Sequence, residues 1–265
     1  MKPSYFDLLN PVGVRVRGVG LLKSPTLMRI SEIGKRQYDY LLSLLMMTPK
    51  DFLNMAAKAV GGKDAANPYD ELSEEQKRQL NIFDLLTQDK VLRDELIQAL
   101  SLFCVGNLEW NQQKNAVMVG VDKQGEQVFV DGKIDRDNFA DVSSLCLEMV
   151  RVERKKPETL KFKDEASRKF YERFMQKKEK FNEHKKQDPK YELANIISSV
   201  AAYHNSLNLL NIWNLTVFQL YDAYAKQQVK GQGEIQSLNY SVWGGTHDPE
   251  LWLNNIYQQN KENAL

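Results

Sequence analysis

The sequence predicts a mainly α fold: helical bundle modules with one inserted antiparallel β-hairpin and a long charged helix. Three observations carry this. Helix starts are marked repeatedly by Ser, Thr or Asp before proline or before a Glu/Gln three residues on. Apolar residues recur at helical spacing along most of the chain. The pattern shifts to valine-rich, strand-like sequence in one place only, near residue 120.

The chain has 265 residues, 42% hydrophobic and 27% charged, with 36 basic and 35 acidic side chains. That length suits one large domain or two small ones, and that apolar fraction excludes wholesale disorder. A formal charge of +1 excludes a uniformly basic nucleic-acid coat and a uniformly acidic, self-repelling chain. The balance is a cancellation of blocks, which suggests complementary surfaces for contacts within the protein or between copies of it. Residues 1–63 carry +6, 64–100 carry −5, 101–150 carry −4, 151–190 carry +7 and 191–265 carry −3.

Along the chain, Ser24-Pro25 reads as an N-cap with proline at the first helical position. Leu27, Ile30, Ile33, Tyr38, Leu41 and Leu45 follow on one helical face. Thr48-Pro49 repeats the device, and Gly61-Gly62 stops that second helix. A polar connector then leads to Ser73-Glu-Glu-Gln76, a capping box opening a third helix. Thr87 is placed to cap a fourth, whose stripe is Leu92, Leu96, Ala99 and Phe103. Ala116–Val121 and Gln127–Val130 form the hairpin around Asp122-Lys-Gln-Gly125, with Asp131-Gly132 ending the second strand.

A helix capped by Asp137 runs to Val150, followed by a basic linker ending at Pro157. Residues 163–186 read as the long charged helix, a solvated arm. Asp188-Pro189 opens the next helix, with Leu193, Ile197, Val200 and Ala201 on its apolar face. His204-Asn205-Ser206 breaks it from the aromatic-rich segment Ile212–Ala225. Gly231-Gln-Gly233 reads as a flexible joint, Val242–Gly245 as a turn, and Asp248-Pro249 as the cap of a last short helix with Leu251, Trp252 and Ile256. The expected organisation is an N-terminal helical module (1–105), a hairpin insertion (106–135), a helix plus basic arm (136–190) and an aromatic-rich C-terminal module (191–265).

Catalytic and metal signatures are absent from the sequence. Gly18-Val-Gly20-Leu-Leu-Lys23 lacks the third glycine and the Lys-Ser/Thr spacing of a phosphate loop, so these glycines serve turns in an extended N-terminal arm. Asp131, Asp135, Asp137 and Asp141 cluster, yet no frame gives the alternating oxygen ligands and sixth-position glycine of a calcium loop. His184, His204 and His247 lie in separate segments. Cys104 and Cys146 sit in apolar helical surroundings without zinc spacing, as buried free thiols suited to a reducing compartment. The N-terminus has no signal-peptide core, and no apolar stretch approaches the roughly 20 residues of a bilayer span. A non-enzymatic, cytoplasmic protein with no metal, no cofactor and no membrane partner is expected.

Two features point to partners. The +7 block includes Arg168, Lys169, Arg173, Lys177, Lys178 and Lys180, interleaved with Glu172, Glu179 and Glu183 at helical reach. That favours a solvated helix or an acidic protein partner over nucleic acid. Aromatic residues crowd the last quarter, where Trp213, Phe218, Tyr221, Tyr224, Trp243 and Trp252 are candidates for a partner groove, since Trp and Tyr are enriched at binding hot spots.

Three blocks carry a family resemblance: Lys23-Ser-Pro-Thr-Leu-Met-Arg-Ile-Ser-Glu-Ile-Gly34, Glu192-Leu-Ala-Asn-Ile-Ile-Ser-Ser-Val-Ala-Ala-Tyr-His-Asn205, and Asn211-Ile-Trp-Asn-Leu-Thr-Val-Phe-Gln-Leu-Tyr-Asp222 followed by Val242-Trp-Gly-Gly245. They resemble the tail assembly chaperones of tailed bacteriophages that infect Gram-positive bacteria. The resemblance implies a mostly helical protein that binds the long helical tape-measure protein and keeps it soluble, acting in the host cytoplasm. It brings no catalytic residue with it. The alternatives are a permanent virion subunit, such as a head–tail connector or baseplate component, and a nucleic-acid-binding or host-interfering phage protein acting through the basic arm.

Overall fold

The structure is a computed structural model and describes residues 3–62, 66–123, 126–152 and 192–253. It is mainly α, with two small antiparallel sheets among the described residues. The chain divides into two compact units: residues 1–154 with 213–219, and residues 155–212 with 220–265.

The first unit opens with α1 (Tyr5–Leu9), held by a reciprocal capping box between Ser4 and Asp7. β1 (Val14–Val16) and β2 (Gly20–Leu22) then form a hairpin, Val14 opposite Leu22. The glycines expected to serve an extended arm therefore turn a strand pair. Gly18 (φ +75°) and Gly20 (φ +125°) take backbone conformations that other residues rarely adopt.

α2 (Leu27–Ile33) and α3 (Lys35–Met46) replace the single helix expected from Ser24 onward. Gly34, at φ +86°, caps one and starts the other, so the apolar stripe continues across a break. The cap of α2 is Thr26, whose hydroxyl accepts from Arg29 N–H at 3.3 Å. Ser24 is instead buried, donating to the Met149 carbonyl at 2.9 Å and accepting from Phe218 N–H at 3.4 Å. α4 (Pro49–Gly61) matches its expected bounds, with the Thr48–Asp51 capping box at one end and Gly62 at the other.

After α5 (Pro68–Glu71), Ser73 caps α6 (Glu74–Gln79) as expected, but this helix is short and gives way to α7 (Ile82–Gln88). Thr87 does not cap α8 (Lys90–Ser101). It lies inside α7 with its hydroxyl donating to the Phe83 carbonyl at 2.8 Å, and Asp89 accepts from Leu92 N–H instead. A threonine in the last turn of a helix satisfies its hydroxyl locally, leaving the first acid beyond the helix to cap the next.

The expected hairpin is present and larger. β4 (Ala116–Lys123) pairs with β5 (Glu126–Ile134), and β3 (Leu108–Asn111) adds a third strand on the other side of β4. β5 does not end at Asp131-Gly132. It continues because Gly132 admits the β1–β2 turn: a Cβ there would lie 2.5 Å from the Val19 carbonyl oxygen, and Lys133 N–H donates to the Gly18 carbonyl at 2.8 Å. Asp137 does not cap the next helix, α9 (Phe139–Met149). Asp135 does the local work, its carboxylate accepting from the N–H groups of Asp137 (3.1 Å) and Asn138 (3.4 Å).

The core of this unit runs through Leu22, Leu45, Phe83, Leu96, Phe103, Ile134 and Phe139, all fully buried. Phe83 meets Phe139 at 5.4 Å between ring centroids and Trp110 at 6.2 Å, and Arg93 lies 5.1 Å over the Trp110 ring. Cys104 and Cys146 are buried free thiols, as expected. Burial pushes Cys104 up to about 12 and Cys146 well above its ordinary range.

Residues 213–219 return to this unit from far along the sequence. Leu27 N–H donates to the Leu215 carbonyl at 2.9 Å and Val217 N–H to the Pro25 carbonyl at 3.0 Å, a bridge centred on Thr26 and Thr216. Phe218 is fully buried, 6.3 Å from the Tyr5 ring and 4.7 Å beneath the Arg151 guanidinium.

Of the second unit, the structure describes α10 (Leu193–Tyr203), a 3₁₀ turn at Ile212–Asn214 whose first residue falls in this unit, and α11 (Val217–Trp243) from Leu220 onward. α10 buries Ile196, Ile197 and Val200. α11 passes through Gly231 and Gly233 unbroken, so the expected flexible joint is helical. Neither glycine has a positive φ, and the strong helix formers on both sides carry the helix across them. It ends where expected, at Gly244 (φ +72°) and Gly245 (φ +128°). Beyond Asp248, a 3₁₀ turn at Leu251–Leu253 replaces the start of the short helix, and Ile256 lies outside the described residues.

Candidate functional site

A groove of about 660 Å³ lies within the second unit. Its walls are the end of α10 (Tyr203, His204, Asn205), one face of α11 (Ala223, Lys226, Gln227, Lys230, Gly233, Glu234, Ser237) and the segment His247–Leu251. The i, i+3, i+4 spacing of Ala223, Lys226, Lys230, Gly233 and Ser237 sets one helical face toward it. Gly233 removes a side chain from that wall, and a Cβ added there meets nothing within 4 Å.

The rest of the groove is fixed by polar contacts at its ends. His204 closes α10, its Nδ1 accepting from the N–H groups of Ser206 and Leu207, both at 3.2 Å. That bonding leaves Nε2 as the protonated nitrogen of the neutral ring. Gln227 reaches from α11 to the Val200 carbonyl at 3.3 Å, tying the two helices together. On the far wall, His247 stacks on Tyr240 at 5.9 Å, and its Nδ1 is buried with no hydrogen-bond partner among the described residues. Lys230 pairs loosely with Glu234 at 3.8 Å, and the rim carries charges of both signs. Such a cleft offers apolar walls with a mixed polar rim, the chemistry of a site for an amphipathic segment. A second, smaller hollow of about 410 Å³ lies between α10 and the loop carrying Leu209 and Leu210.

The aromatic candidates separate. Trp213 and Phe218 belong to the first unit, where Trp213 is half-buried and Phe218 is a core residue with no exposed surface. Tyr221 and Tyr224 are half-buried on α11, and Trp243 is 85% exposed at its end. Trp252 falls in the terminal 3₁₀ turn, with its side chain outside the described residues. The basic-arm residues Arg168, Lys169, Arg173, Lys177, Lys178 and Lys180 lie outside the described residues, as does the long charged helix expected over 163–186.

The groove residues were missed by sequence reasoning, because a cleft built from one helix end, one helix face and a returning segment has no linear motif. The available signal was the pair of small residues, Ala223 and Gly233, on a helical face otherwise polar. Among the described residues no group of three or more His, Cys, Asp or Glu is placed to hold a metal ion, and no helix is long and apolar enough to cross a membrane.

The geometry defines a mainly helical protein whose second unit carries an open groove. Residues 183–257, which include every described element of that groove, match the family described as YomV second domain. Neither the curated proteins nor the solved structures contain a significant match to the chain.

Proposed function

We propose that this chain is a non-enzymatic, phage-encoded assembly factor, and specifically a tail assembly chaperone that takes an amphipathic helix of a tape-measure protein into the groove of its second unit. The coarser part, a phage-related protein, is supported by the match of residues 183–257 to the YomV second domain. The finer part rests on the three sequence blocks that resemble tail assembly chaperones. The groove itself carries the mechanism. A tape-measure protein is a long helical chain whose apolar stripe must be covered before the tail tube surrounds it. An apolar cleft with Lys226, Lys230, Glu234 and Asp248 around it covers such a stripe while its rim meets charges of either sign.

Co-expression with the tape-measure protein of the same phage tests the reading. The client is expected in the soluble fraction and in a complex with the chain. Ala223→Arg, which fills the groove, is expected to lose both. A client equally insoluble with and without the chain overturns the chaperone reading. A stable ring of defined subunit number, formed without the client, supports a permanent virion component instead.

A further inference from the structure

The three walls of the groove are held unequally. α10 buries Ile196, Ile197 and Val200, and Gln227 of α11 donates to its Val200 carbonyl at 3.3 Å. The third wall, His247–Leu251, has no such anchor. The hydrogen bonds of residues 246–253 stay within that stretch. Glu250 N–H donates to the Asp248 carboxylate at 2.9 Å, Leu251 N–H to the Asp248 carbonyl at 3.4 Å, and Leu253 N–H to the Glu250 carbonyl at 2.8 Å. Among the described residues, no hydrogen bond or ion pair joins this stretch to α10 or α11. What holds it is the stack of His247 on Tyr240, 5.9 Å between centroids, and Tyr240 is itself 53% exposed. His247 Nδ1 is buried there without a partner among the described residues, which weakens the hold of the stack. The stretch leaves α11 through Gly244 (φ +72°) and Gly245 (φ +128°), where an added Cβ meets nothing within 4 Å. Glycine therefore serves backbone freedom there and not space, as in a hinge.

The size of the groove makes this freedom matter. Its lining residues on α11 run from Ala223 to Ser237, roughly 21 Å at about 1.5 Å per residue. A helix of that length and about 10 Å across fills about 1,600 Å³. The groove holds about 660 Å³, so as it stands it takes less than half of such a helix. Seating the whole apolar face of a helix requires a wall to move, and the wall without anchors is His247–Leu251. We propose that residues 246–253 are a hinged strap that swings out about Gly244 and Gly245 to admit a helix and then closes over it. The proposal rests on the reading of the groove as a helix site. Opening parts the His247 and Tyr240 rings, but it also gives the buried His247 Nδ1 access to water. The loss and the gain oppose each other, so the open and closed states lie close in free energy. On closing, Pro249 and Leu251, already part of the groove wall, cover the outer side of the bound helix.

Labelling of a cysteine on the groove wall tests the strap in the free full chain. Val229 lines the groove, so Val229→Cys reports access to it, while native Cys104 and Cys146 are buried. Its reaction with a bulky fluorescein maleimide is expected to follow strap opening. Tyr240→Ala, which removes the stack, is expected to speed the reaction at least about fivefold with unchanged helicity. His247→Phe, which keeps a ring and removes the unpaired nitrogen, is expected to slow it at least about threefold. Either rate left at the wild-type value overturns the proposal. Tyr240→Cys combined with His247→Cys and joined by a short bismaleimide fixes the strap shut. The cross-linked chain is expected to lose capture of the tape-measure protein, and the same variant without cross-linker to keep it. Equal capture by both overturns the strap and leaves the helix site standing. Capture by neither, nor by the wild type, overturns the helix-site reading, and the labelling rates then decide the strap alone.

Discussion

Phe83 and Leu238 both sit on the apolar row of a helix, yet Phe83 is fully buried and Leu238 is 67% exposed. The contrast runs through the two units. In the first, helices begin at side-chain caps, glycines sit where backbones must touch, and large aromatics pack against each other at tilted angles. In the second, the last thirteen residues of α11 leave Ile235, Leu238, Tyr240, Val242 and Trp243 in the open. Apolar residues at helical spacing end up in two different environments, and only packing separates them: one set builds a core, the other stays at the surface.

The contrast breaks most visibly at Phe83. Phe83→Ala removes the ring between Phe139 and Trp110 and is expected to destabilise the first unit by about 3–5 kcal/mol, whereas Leu238→Ala on dilute protein is expected to shift stability by about 0.5 kcal/mol or less. Denaturant midpoints of the two variants measure the difference directly, and equal shifts would erase the distinction drawn between core and surface rows.

Ser24 comes next. Ser24→Ala leaves the buried Met149 carbonyl and Phe218 N–H without this hydroxyl and is expected to cost about 1–3 kcal/mol. Thermal unfolding of this variant beside Ser31→Ala, whose exposed hydroxyl bonds only its own helix, tests whether the cost comes from the buried bridge.

Acid sensitivity sharpens the comparison further. Burial raises the Asp135 carboxyl, but the Lys133 ammonium and the N–H groups of Asp137 and Asn138 together bring it below its ordinary value of 3.8. A lowered folded-state value gives stability that is present above 3.8 and is lost as pH falls below it. The first unit is therefore expected to lose stability as pH falls below 3.8, and Asp135→Asn to flatten that dependence.

The smallest expected change has the opposite sign. Gly231→Ala is expected to stabilise α11 by about 0.5–1 kcal/mol, since the glycine has no need of its freedom there and a Cβ meets nothing within 4 Å. Higher mean helicity and a raised midpoint in the second unit's transition check it. No gain would mean that the turn around Gly231 is not helical in solution.

Much of this was legible in the sequence where the cause was local. Thr48-Pro49, Gly61-Gly62 and the Ser73–Gln76 box act within four residues of themselves, so spacing alone located them. The β4–β5 hairpin was legible for the same reason. The misses share the opposite property. Ser24 looked like a cap, but its partners are 125 and 194 residues away. Gly132 looked like a strand end because the Val19 carbonyl that needs the space belongs to another hairpin. Gly231 and Gly233 looked like a joint because propensity is read residue by residue, while a helix of 27 residues tolerates two poor formers. For the site, aromatic crowding drew attention to the right stretch of chain and mixed its members: Phe218 serves the core, Trp243 is open, and the groove is walled mainly by residues that are not aromatic.

The bridge between Thr26 and Thr216 has a consequence in time. The segment that completes the first unit is synthesised last among its parts, nearly two hundred residues after the strand it pairs with. The Pro25 carbonyl and the Leu27 N–H meet their backbone partners, Val217 and Leu215, only after residues 215–217 have left the ribosome. Closing so large a loop slows folding more than it weakens the finished fold. Chain order thus makes synthesis through residue 219 a condition for finishing the first unit, whose other parts end at residue 154.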